Sequence, residues 1–292
     1  MSMEEKKGGE LLEYFDPKKH GELTASVDMV RQTLKFKPKD LDILLGMCDT
    51  AYTQSPPVHW DSNKPAGWRH LYALEFADGG TAAVGLVFND PKGAPNQGRG
   101  FIEFNPNKLM GLRVFANFYK RLLGACELVI LDRFDLAIDI PDRRALFQLQ
   151  KDRRKYEYHN SGSVTEYLGR KNKPGRVKLY DKAAESGLEK PLTRLEITCA
   201  GNWSLEKVVE QLPTVLDLRK PHSRFKDVPS VAMLIRLGQL GESIDSFISM
   251  YQSRNTQSKL RSAIAESNSA SIPSEIIADV LASCWLRYGN MN

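Results

Sequence analysis

The segment Leu128–Ile140, LVILDRFDLAIDI, constrains the fold of this chain more than any other. In its second half apolar residues alternate with charged or small ones, and Pro141 ends the run. A period of two places alternate side chains on opposite faces of a β-strand. The pattern therefore predicts a strand with one apolar face and one polar face. The polar face is expected to carry Arg133, Asp135, Ala137 and Asp139.

Three other segments, 99–105, 176–181 and 193–199, show the same alternation. Their polar faces would carry Glu103 and Asn105, then Arg176, Lys178, Tyr180 and Lys182, and finally Arg194, Glu196 and Thr198. An ordinary half-solvated antiparallel sheet with cross-strand ion pairs has the same pattern. The alternation thus predicts a sheet, and leaves open whether its polar face carries chemistry.

The order of the remaining segments predicts an α+β fold. A hairpin is expected over 70–88 around an Asp-Gly-Gly turn, a helix over 109–123, and a strand at Val164–Leu168 followed by the turn GRKNKPG. After Gly201 the pattern becomes helical over 204–218, 230–240, 242–251, 256–266 and 273–288. We therefore expect a largely antiparallel sheet domain with flanking helices over 21–201. A mobile lead over 1–20 would precede it, and an all-helical C-terminal module over 202–292 would follow.

The positive charge of the chain is concentrated in one window. The formal net charge is +5, and residues 151–190 hold 11 basic and 6 acidic residues, which accounts for that whole excess. A local basic zone between balanced flanks is typical of a surface that contacts a polyanion, most often a nucleic acid. A solvated loop with a chance excess of lysine would look the same.

The sequence indicates a cytoplasmic protein without a membrane partner. No run of about eighteen apolar residues lacks a charge, and the first residues carry acids rather than an apolar secretory segment. The four cysteines form no CxxC pair, so we expect them to be reduced core residues. They are Cys48, Cys126, Cys199 and Cys284.

Common catalytic motifs are absent from the sequence, which narrows the kinds of reaction that the chain could catalyse. The chain has no phosphate-binding GxxxxGK[ST] loop, no GxGxxG, no HExxH and no GxSxG, and its five histidines are isolated in sequence. A metal site would therefore use oxygen ligands, which favours Mg²⁺ or Mn²⁺. A tyrosine among carboxylates, lysines and arginines suits covalent phosphodiester chemistry, because a phenol is a good leaving group.

Four segments together resemble the Rep_trans family. They are RFDLAIDIP (133–141), GSVTEYLGRKNKPGRVKLYDKAAESG (162–187), TRLEIT (193–198) and GFIEFNPNKL (100–109), in the family's order and approximate spacing. The family comprises replication initiators of rolling-circle plasmids and filamentous phages, with related relaxases of conjugative elements. The resemblance covers about residues 70–200.

The resemblance implies an enzyme that binds a replication origin and cleaves one strand through a tyrosine. A 5′-phosphotyrosyl link forms, the free 3′-OH primes synthesis, and the enzyme later rejoins the displaced strand. The family's tyrosine falls on Tyr180, within RVKLYDK, and Tyr167 fits the preceding strand instead. Lys182 would then stabilise phenolate or phosphate, and Arg194 could hold the phosphate bidentately. Residues 21–201 would be the catalytic nicking domain.

The resemblance also implies metal ligands. Asp135 and Asp139 match the acidic positions of one family strand and Glu196 matches another, with Glu103 in reserve. A divalent cation at these carboxylates would polarise the scissile phosphate. Each carboxylate could instead be an ion-pair partner of Arg133 or Arg194.

DNA recognition divides between two regions. Phosphate contact and base stacking suit the basic residues of the window, with Tyr156 and Tyr158 interleaved. The basic residues are Lys151, Arg153, Arg154, Lys155, Arg170, Lys171, Lys173, Arg176 and Lys178. The helices beyond residue 200, with Arg219, Lys220, Arg224 and Lys226, could bind origin duplex, form a homodimer or contact a host helicase.

Two alternatives to a replication initiator stay open. A relaxase that nicks a transfer origin would use the same catalytic block. A DNA-binding protein without catalysis, such as a partition protein or repressor, would bind DNA and leave it intact.

Overall fold

The computed structural model describes residues 17–53, 70–76, 80–88, 98–219 and 229–289. Within these ranges the main element is a ten-stranded antiparallel sheet of order β3-β4-β5-β2-β6-β11-β10-β9-β8, with β1 paired to β2. Its strands are β1 (Lys18–His20), β2 (Leu23–Phe36), β3 (His70–Phe76), β4 (Gly80–Phe88), β5 (Gly98–Phe104), β6 (Leu128–Ile140), β8 (Tyr156–Asn160), β9 (Val164–Leu168), β10 (Val177–Asp181) and β11 (Thr193–Ala200). A separate two-stranded sheet pairs β7 (Phe147–Leu149) with β12 (Val215–Asp217).

Nine α-helices lie within the described ranges. They are α1 (Leu41–Thr53), α2 (Pro106–Leu109), α3 (Arg113–Gly124), α4 (Lys182–Ser186), α5 (Leu205–Glu210), α6 (Pro229–Gln239), α7 (Ile244–Ser249), α8 (Arg254–Asn268) and α9 (Ser274–Tyr288). This arrangement confirms the predicted α+β class with a helical C-terminal region.

One face of the main sheet is its core face. Phe134, Leu136 and Ile138 of β6 point to it, as the alternation predicts, and all three are fully buried. Helix α3 packs its aromatic residues there, with the Phe115 ring 4.9 Å from that of Phe104. Helix α9 also packs on this face, against β2. The opposite face is the polar face, on which the charged residues of β6 lie.

Strand β6 lies in the middle of the sheet between β2 and β11. The pairing with β2 shifts register between Val27 and Met29, so Asp28 is an extra residue at a β-bulge. A bulge re-aims a side chain, and here it directs the Asp28 carboxylate toward Arg194 of β11.

The C-terminal region contains a strand as well as helices. Part of the predicted helix 204–218 is the strand β12, because Pro213 follows the end of α5 and a helix rarely continues through the residue before a proline. Helices α6, α7 and α8 pack with β12 in a second apolar cluster, whereas α9 belongs to the core of the main sheet. The region over 202–292 is therefore divided between two cores.

Smaller differences occur at three other places. The predicted helix 109–123 is two helices, α2 and α3, with Gly111 between them. Residues 18–20 of the predicted mobile lead form strand β1, and residues 1–16 lie outside the described part of the chain. The hairpin β3–β4 is present, although residues 77–79 of its predicted turn lie outside the description.

The cysteines are free thiols, as predicted, and all but Cys126 are buried. In the described part of the chain, no helix is both long and apolar enough to cross a membrane.

Candidate functional site

The polar face brings the predicted nucleophile and carboxylates together across three strands. Tyr180 of β10 lies opposite Arg194 of β11, and Arg194 lies opposite Asp139 of β6. Four residues along, Thr198 of β11 lies opposite Asp135. Residues paired in an antiparallel sheet share a face, so the register alone places these side chains side by side.

The Tyr180 hydroxyl donates a hydrogen bond to Glu196 Oε1. Tyr180 is only 4% exposed, and the Lys178 ammonium lies 3.5 Å from its ring centroid. Burial first, and then the charge of Glu196 and the hydrogen bond to it, raise the pKa of the Tyr180 phenol well above its usual range. The phenol is therefore protonated in the free protein, with a carboxylate already placed to accept the proton.

Two lysines beside Tyr180 share one carboxylate partner. Lys182 Nζ lies 2.6 Å from Glu185 Oε2 and Lys178 Nζ lies 3.5 Å from Glu185 Oε1. Helix α4, which carries Lys182 and Glu185, begins at Asp181, whose side chain accepts from the Ala184 amide. The predicted catalytic Lys182 is thus held next to Tyr180, with its ammonium 5.9 Å from the ring centroid.

Arg194 is held by two carboxylates from different strands. Its Nε and Nη2 donate to Asp139 at 2.6 and 2.8 Å, and its Nη1 donates to Asp28 Oδ1 at 2.8 Å. Burial opposes the charge of Arg194, but the hydrogen bond and charge of Asp139, with the charge of Asp28, raise its pKa. Asp28 also accepts from Asn105 Nδ2 at 3.1 Å. The sequence analysis did not identify Asp28, since no alternation marks a bulge residue.

Glu103, the reserve metal ligand, lies between two arginines. Its Oε2 accepts from Arg31 Nη1 at 2.9 Å and from Arg133 Nη2 at 3.1 Å. Asp139 and Glu103 are thus both in ion pairs with arginine. A metal-binding role for either would require those pairs to open.

Asp135 differs from the other carboxylates of the site, because its buried Oδ1 has no hydrogen-bond partner within the part of the chain that the structure describes. Burial first raises the pKa of Asp135 to about 6, and the negative charges of Asp28 and Glu103 add to the rise. The hydrogen bond with Thr198 and the charge of Arg133 oppose it. Burial likewise raises the pKa of Glu196, and the charge of Asp28 adds to that rise.

The predicted four-carboxylate set does not form a metal-binding cage. Among the described residues, no group of three or more His, Cys, Asp or Glu side chains is arranged to hold a metal ion. Mg²⁺, however, is usually bound by one or two carboxylates, and keeps several waters or takes substrate phosphates as further ligands. Asp135 and Glu196 fit that pattern, because both line one cleft and one Asp135 oxygen is unpartnered.

The cleft has a volume of about 390 Å³ and lies on the polar face. We call it the sheet cleft. It is lined by Arg133, Asp135, Glu157, Tyr167, Lys171, Asn172, Arg176, Lys178, Glu196 and Thr198. Its rim is the turn 169–175, in which Gly169 and Gly175 have φ of 87° and 85°, a conformation that glycine adopts without strain.

The predicted DNA-binding residues separate into exposed and tethered side chains. Arg153, Arg170, Lys171 and Lys173 are exposed. Lys155 is exposed but pairs with Glu157 at 2.7 Å, and Lys151 lies 3.5 Å from Asp245. Arg154 donates to the carbonyls of Gly175 and Gln211 at 3.2 and 3.0 Å, so it ties loops together. Arg176 and Lys178 line the sheet cleft.

The predicted stacking role of Tyr156 and Tyr158 does not match their positions. The Tyr156 hydroxyl donates to Glu166 Oε1 at 2.6 Å, and Glu166 is fully buried. The Tyr158 hydroxyl donates to the Gly241 carbonyl. Both side chains therefore face away from the polar face, because they alternate with Glu157 on β8. Tyr167 is the tyrosine of this region that lines the sheet cleft.

The basic cluster predicted after residue 218 is described only in part. Arg219 pairs with Asp217 at 3.0 Å and with Asp142. Lys220, Arg224 and Lys226 lie outside the described residues. The homodimer, the helicase and the cytoplasmic location stay predictions.

Comparison with known proteins finds distant similarity among solved structures. No family model and no curated protein matches the chain. A solved structure, the rolling circle replication initiator protein from Geobacillus stearothermophilus, aligns with 85% of this chain and 98% of its own chain. The identity is 12% and the TM-score is 0.34. Such a score does not establish a shared fold, so the function of this chain has to be argued from its own residues.

Proposed function

We propose that this chain is a metal-dependent DNA nicking and closing enzyme that initiates rolling-circle replication, with Tyr180 as its nucleophile. The observation that carries the proposal is the hydrogen bond from the Tyr180 hydroxyl to Glu196 on the polar face. Lys178 and Lys182 lie beside the same ring, and Arg194 lies opposite it. A hydroxyl nucleophile, a proton acceptor and phosphate-binding cations are the parts that such a reaction requires.

Tyr180 and Glu196 account for the bond formation and the proton transfer of the proposed cleavage. The Tyr180 oxygen attacks the phosphorus, its proton passes to Glu196, and the bond to the 3′ oxygen breaks. The 3′ oxygen leaves as a hydroxyl by taking a proton from a water molecule, that water regains a proton from Glu196, and the 5′ phosphate stays on the tyrosine. The reverse reaction, with a 3′-OH as the nucleophile, rejoins the strand and returns the proton to the phenol.

The raised pKa values of Tyr180 and Glu196 suit this proton transfer. In the absence of a cation, burial raises the pKa of Glu196, and its Oε1 already accepts the hydrogen bond from the phenol. The charge of Glu196 also keeps the phenol protonated until a phosphate approaches. The nucleophile is therefore formed only as the new bond forms.

Asp135 and Glu196 would hold the divalent cation, Mg²⁺ or Mn²⁺. When bound, that cation would polarise the scissile phosphate and neutralise the charge that develops on it. Lys178, Lys182 and Arg194 would orient the phosphate by charge-assisted hydrogen bonds.

The test is a cleavage assay on supercoiled plasmid DNA that carries the replicon encoding the chain, with Mg²⁺ or Mn²⁺ and with a chelator. We expect nicked plasmid and a covalent protein–DNA adduct, mapped to Tyr180 by mass spectrometry. Tyr180→Phe should abolish both products, and Asp135→Asn should reduce nicking by at least about tenfold.

Tyr251→Phe is the matched control, because it removes the hydroxyl of a tyrosine that packs on the second apolar cluster, away from the polar face, and should leave nicking intact. An adduct on another residue would refute the assignment of Tyr180. DNA binding without any nicking would instead support a non-catalytic DNA-binding protein.

A further inference from the structure

The sheet cleft has two chemically different ends. One end holds Asp135, Glu196 and Thr198, which belong to the site described above. The other end holds the Tyr167 ring and the Arg176 guanidinium, with Lys171 and Asn172 on the rim. The proposed cleavage uses none of the residues at this second end.

Tyr167 and Arg176 form a cation–π pair. The guanidinium carbon of Arg176 lies 4.2 Å from the Tyr167 ring centroid. Arg176 is held in this position because its Nη1 donates to the Gly169 carbonyl and its Nη2 donates to Glu157 at 3.2 Å. A surface that is already ordered loses little conformational entropy when a ligand stacks on it.

In the described part of the chain, the Tyr167 hydroxyl does not tie the side chain to a neighbouring element. Within the described part of the chain it makes no hydrogen bond, whereas the hydroxyls of Tyr156 and Tyr158 both donate inward. The ring is half-buried, and it contacts the His159 ring at a centroid distance of 5.8 Å. Tyr167 thus presents an aromatic surface to the sheet cleft rather than filling a core.

The positions of Tyr167 and Tyr180 suit contact with the same single strand of DNA. Tyr167 lies directly opposite Lys178, and the Lys178 ammonium lies over the Tyr180 ring. A nucleotide stacked on Tyr167 of β9 would therefore lie beside β10, the β-strand that carries the proposed nucleophile Tyr180. The acid nearest to this end, Glu157, has its pKa lowered by hydrogen bonds from Lys155 and Arg176, so its charge is balanced there.

We propose that the Tyr167–Arg176 pair is a base-stacking site for one nucleotide of single-stranded DNA next to the scissile phosphate. The choice of single-stranded DNA as the ligand rests on the proposed function. A cleft of about 390 Å³ lies near the lower end of the range for ligand sites and has room for a nucleotide. Stacking on an aromatic ring with lysines at the backbone is how proteins bind single strands without reading their sequence.

The experiment measures the affinity of the full chain for a short oligothymidylate and for an abasic strand of equal length, by fluorescence anisotropy in a chelator. The two probes carry the same phosphates, so their difference reports base contacts. Tyr167→Ala should weaken binding of the oligothymidylate about tenfold and leave binding of the abasic strand unchanged. Tyr167→Phe should bind both probes like the unaltered chain.

Three results would overturn the inference. They are unaltered affinity of Tyr167→Ala for oligothymidylate, an equal loss for both probes, and a loss in Tyr167→Phe as large as that in Tyr167→Ala. The assay does not involve cleavage, so the two proposals fail separately. Base-dependent binding through Tyr167 in a chain that never nicks DNA would refute the proposed function alone, and nicking with no effect of Tyr167→Ala on binding would refute the stacking site alone.

Discussion

The positive charge of Arg194 is accompanied at the site by the carboxylates of its two partners, Asp28 and Asp139. Asp139 and Asp28 hold its guanidinium, so the positive charge is already compensated before DNA arrives. Asp135 and Glu196 add further negative charge on the same face. A DNA phosphate would therefore meet a region richer in carboxylate than in cation at this end of the cleft. A divalent ion at Asp135 and Glu196 would reverse that balance, which is the electrostatic reason for including one in the proposed reaction.

Asp135 gives a stability prediction whose sign follows from its raised pKa. The pKa rises from 3.8 to about 6, so the folded chain binds the proton more tightly than the unfolded chain does. The stabilisation that this proton gives is fully present below about pH 4 and is lost as the pH rises through 6. Above that pH the buried, ionised carboxylate costs the fold on the order of 3 kcal/mol. Asp135→Asn should therefore raise the free energy of unfolding at pH 8 by about that amount, and should change it little at pH 4.

Urea unfolding in a chelator at the two pH values measures the effect. Asp132→Asn, at an exposed position three residues earlier on the same strand, is the control for replacing a carboxylate of β6 by an amide. An equal gain for Asp135→Asn at both pH values would show that the carboxylate is not strained by burial and like charge.

At the scale of elements, a buried ion pair joins the edge of the sheet to the segment before β7. Arg144 and Glu166 are 4% and 0% exposed, and Glu166 also accepts from the Leu149 amide at 3.1 Å and from Tyr156. Arg144 donates in addition to the Leu179 carbonyl at 3.3 Å, on the strand that carries Tyr180. This pair therefore fixes β9 and β10, and with them the second end of the sheet cleft.

Removal of one partner should be costly because the other charge stays buried. We expect Arg144→Met to lower the free energy of unfolding by about 3–5 kcal/mol. The control is Lys207→Met, which breaks an exposed pair with Glu210, 43% and 55% exposed, and should cost less than about 0.5 kcal/mol. Thermal and urea unfolding of both variants measure the difference. A cost for Arg144→Met no larger than that of the control would mean that the pair does not hold the sheet edge.

The elements also show what could be predicted from the sequence. Strict alternation in β6, β10 and β11 gave the strand faces, and so the neighbours of Tyr180, because a period of two depends only on local order. Asp28 could not be found this way, since a bulge adds a residue that breaks the period. The inward direction of Tyr156 and Tyr158 follows from long-range contacts with Glu166 and Gly241, which no local pattern encodes. The predicted helix 204–218 was wrong beyond Glu210, although Pro213 is a local signal that marks the end of α5.

At the scale of the whole molecule, the basic window is not one continuous DNA-binding surface. Part of its charge is internal, since Arg154 binds two carbonyls and Arg176 is fixed beside Tyr167. The charge available to phosphates is concentrated in Arg170, Lys171 and Lys173, the exposed basic residues of the turn at the cleft rim. We therefore expect the salt dependence of DNA binding to come from this turn rather than from the window as a whole.

Substitution of these three residues by alanine should reduce the slope of log affinity against log salt for single-stranded DNA. Each lost phosphate contact lowers the slope by about 0.7, so the triple variant should lose about 2. Arg154→Ala should instead lower the free energy of unfolding and leave the slope nearly unchanged. The control is a triple alanine variant of Arg236, Arg254 and Lys259, exposed basic residues on α6 and α8. If that control lost slope while the turn variant kept it, the DNA would lie on the C-terminal helices, and the sheet cleft would not be the site where the strand is held.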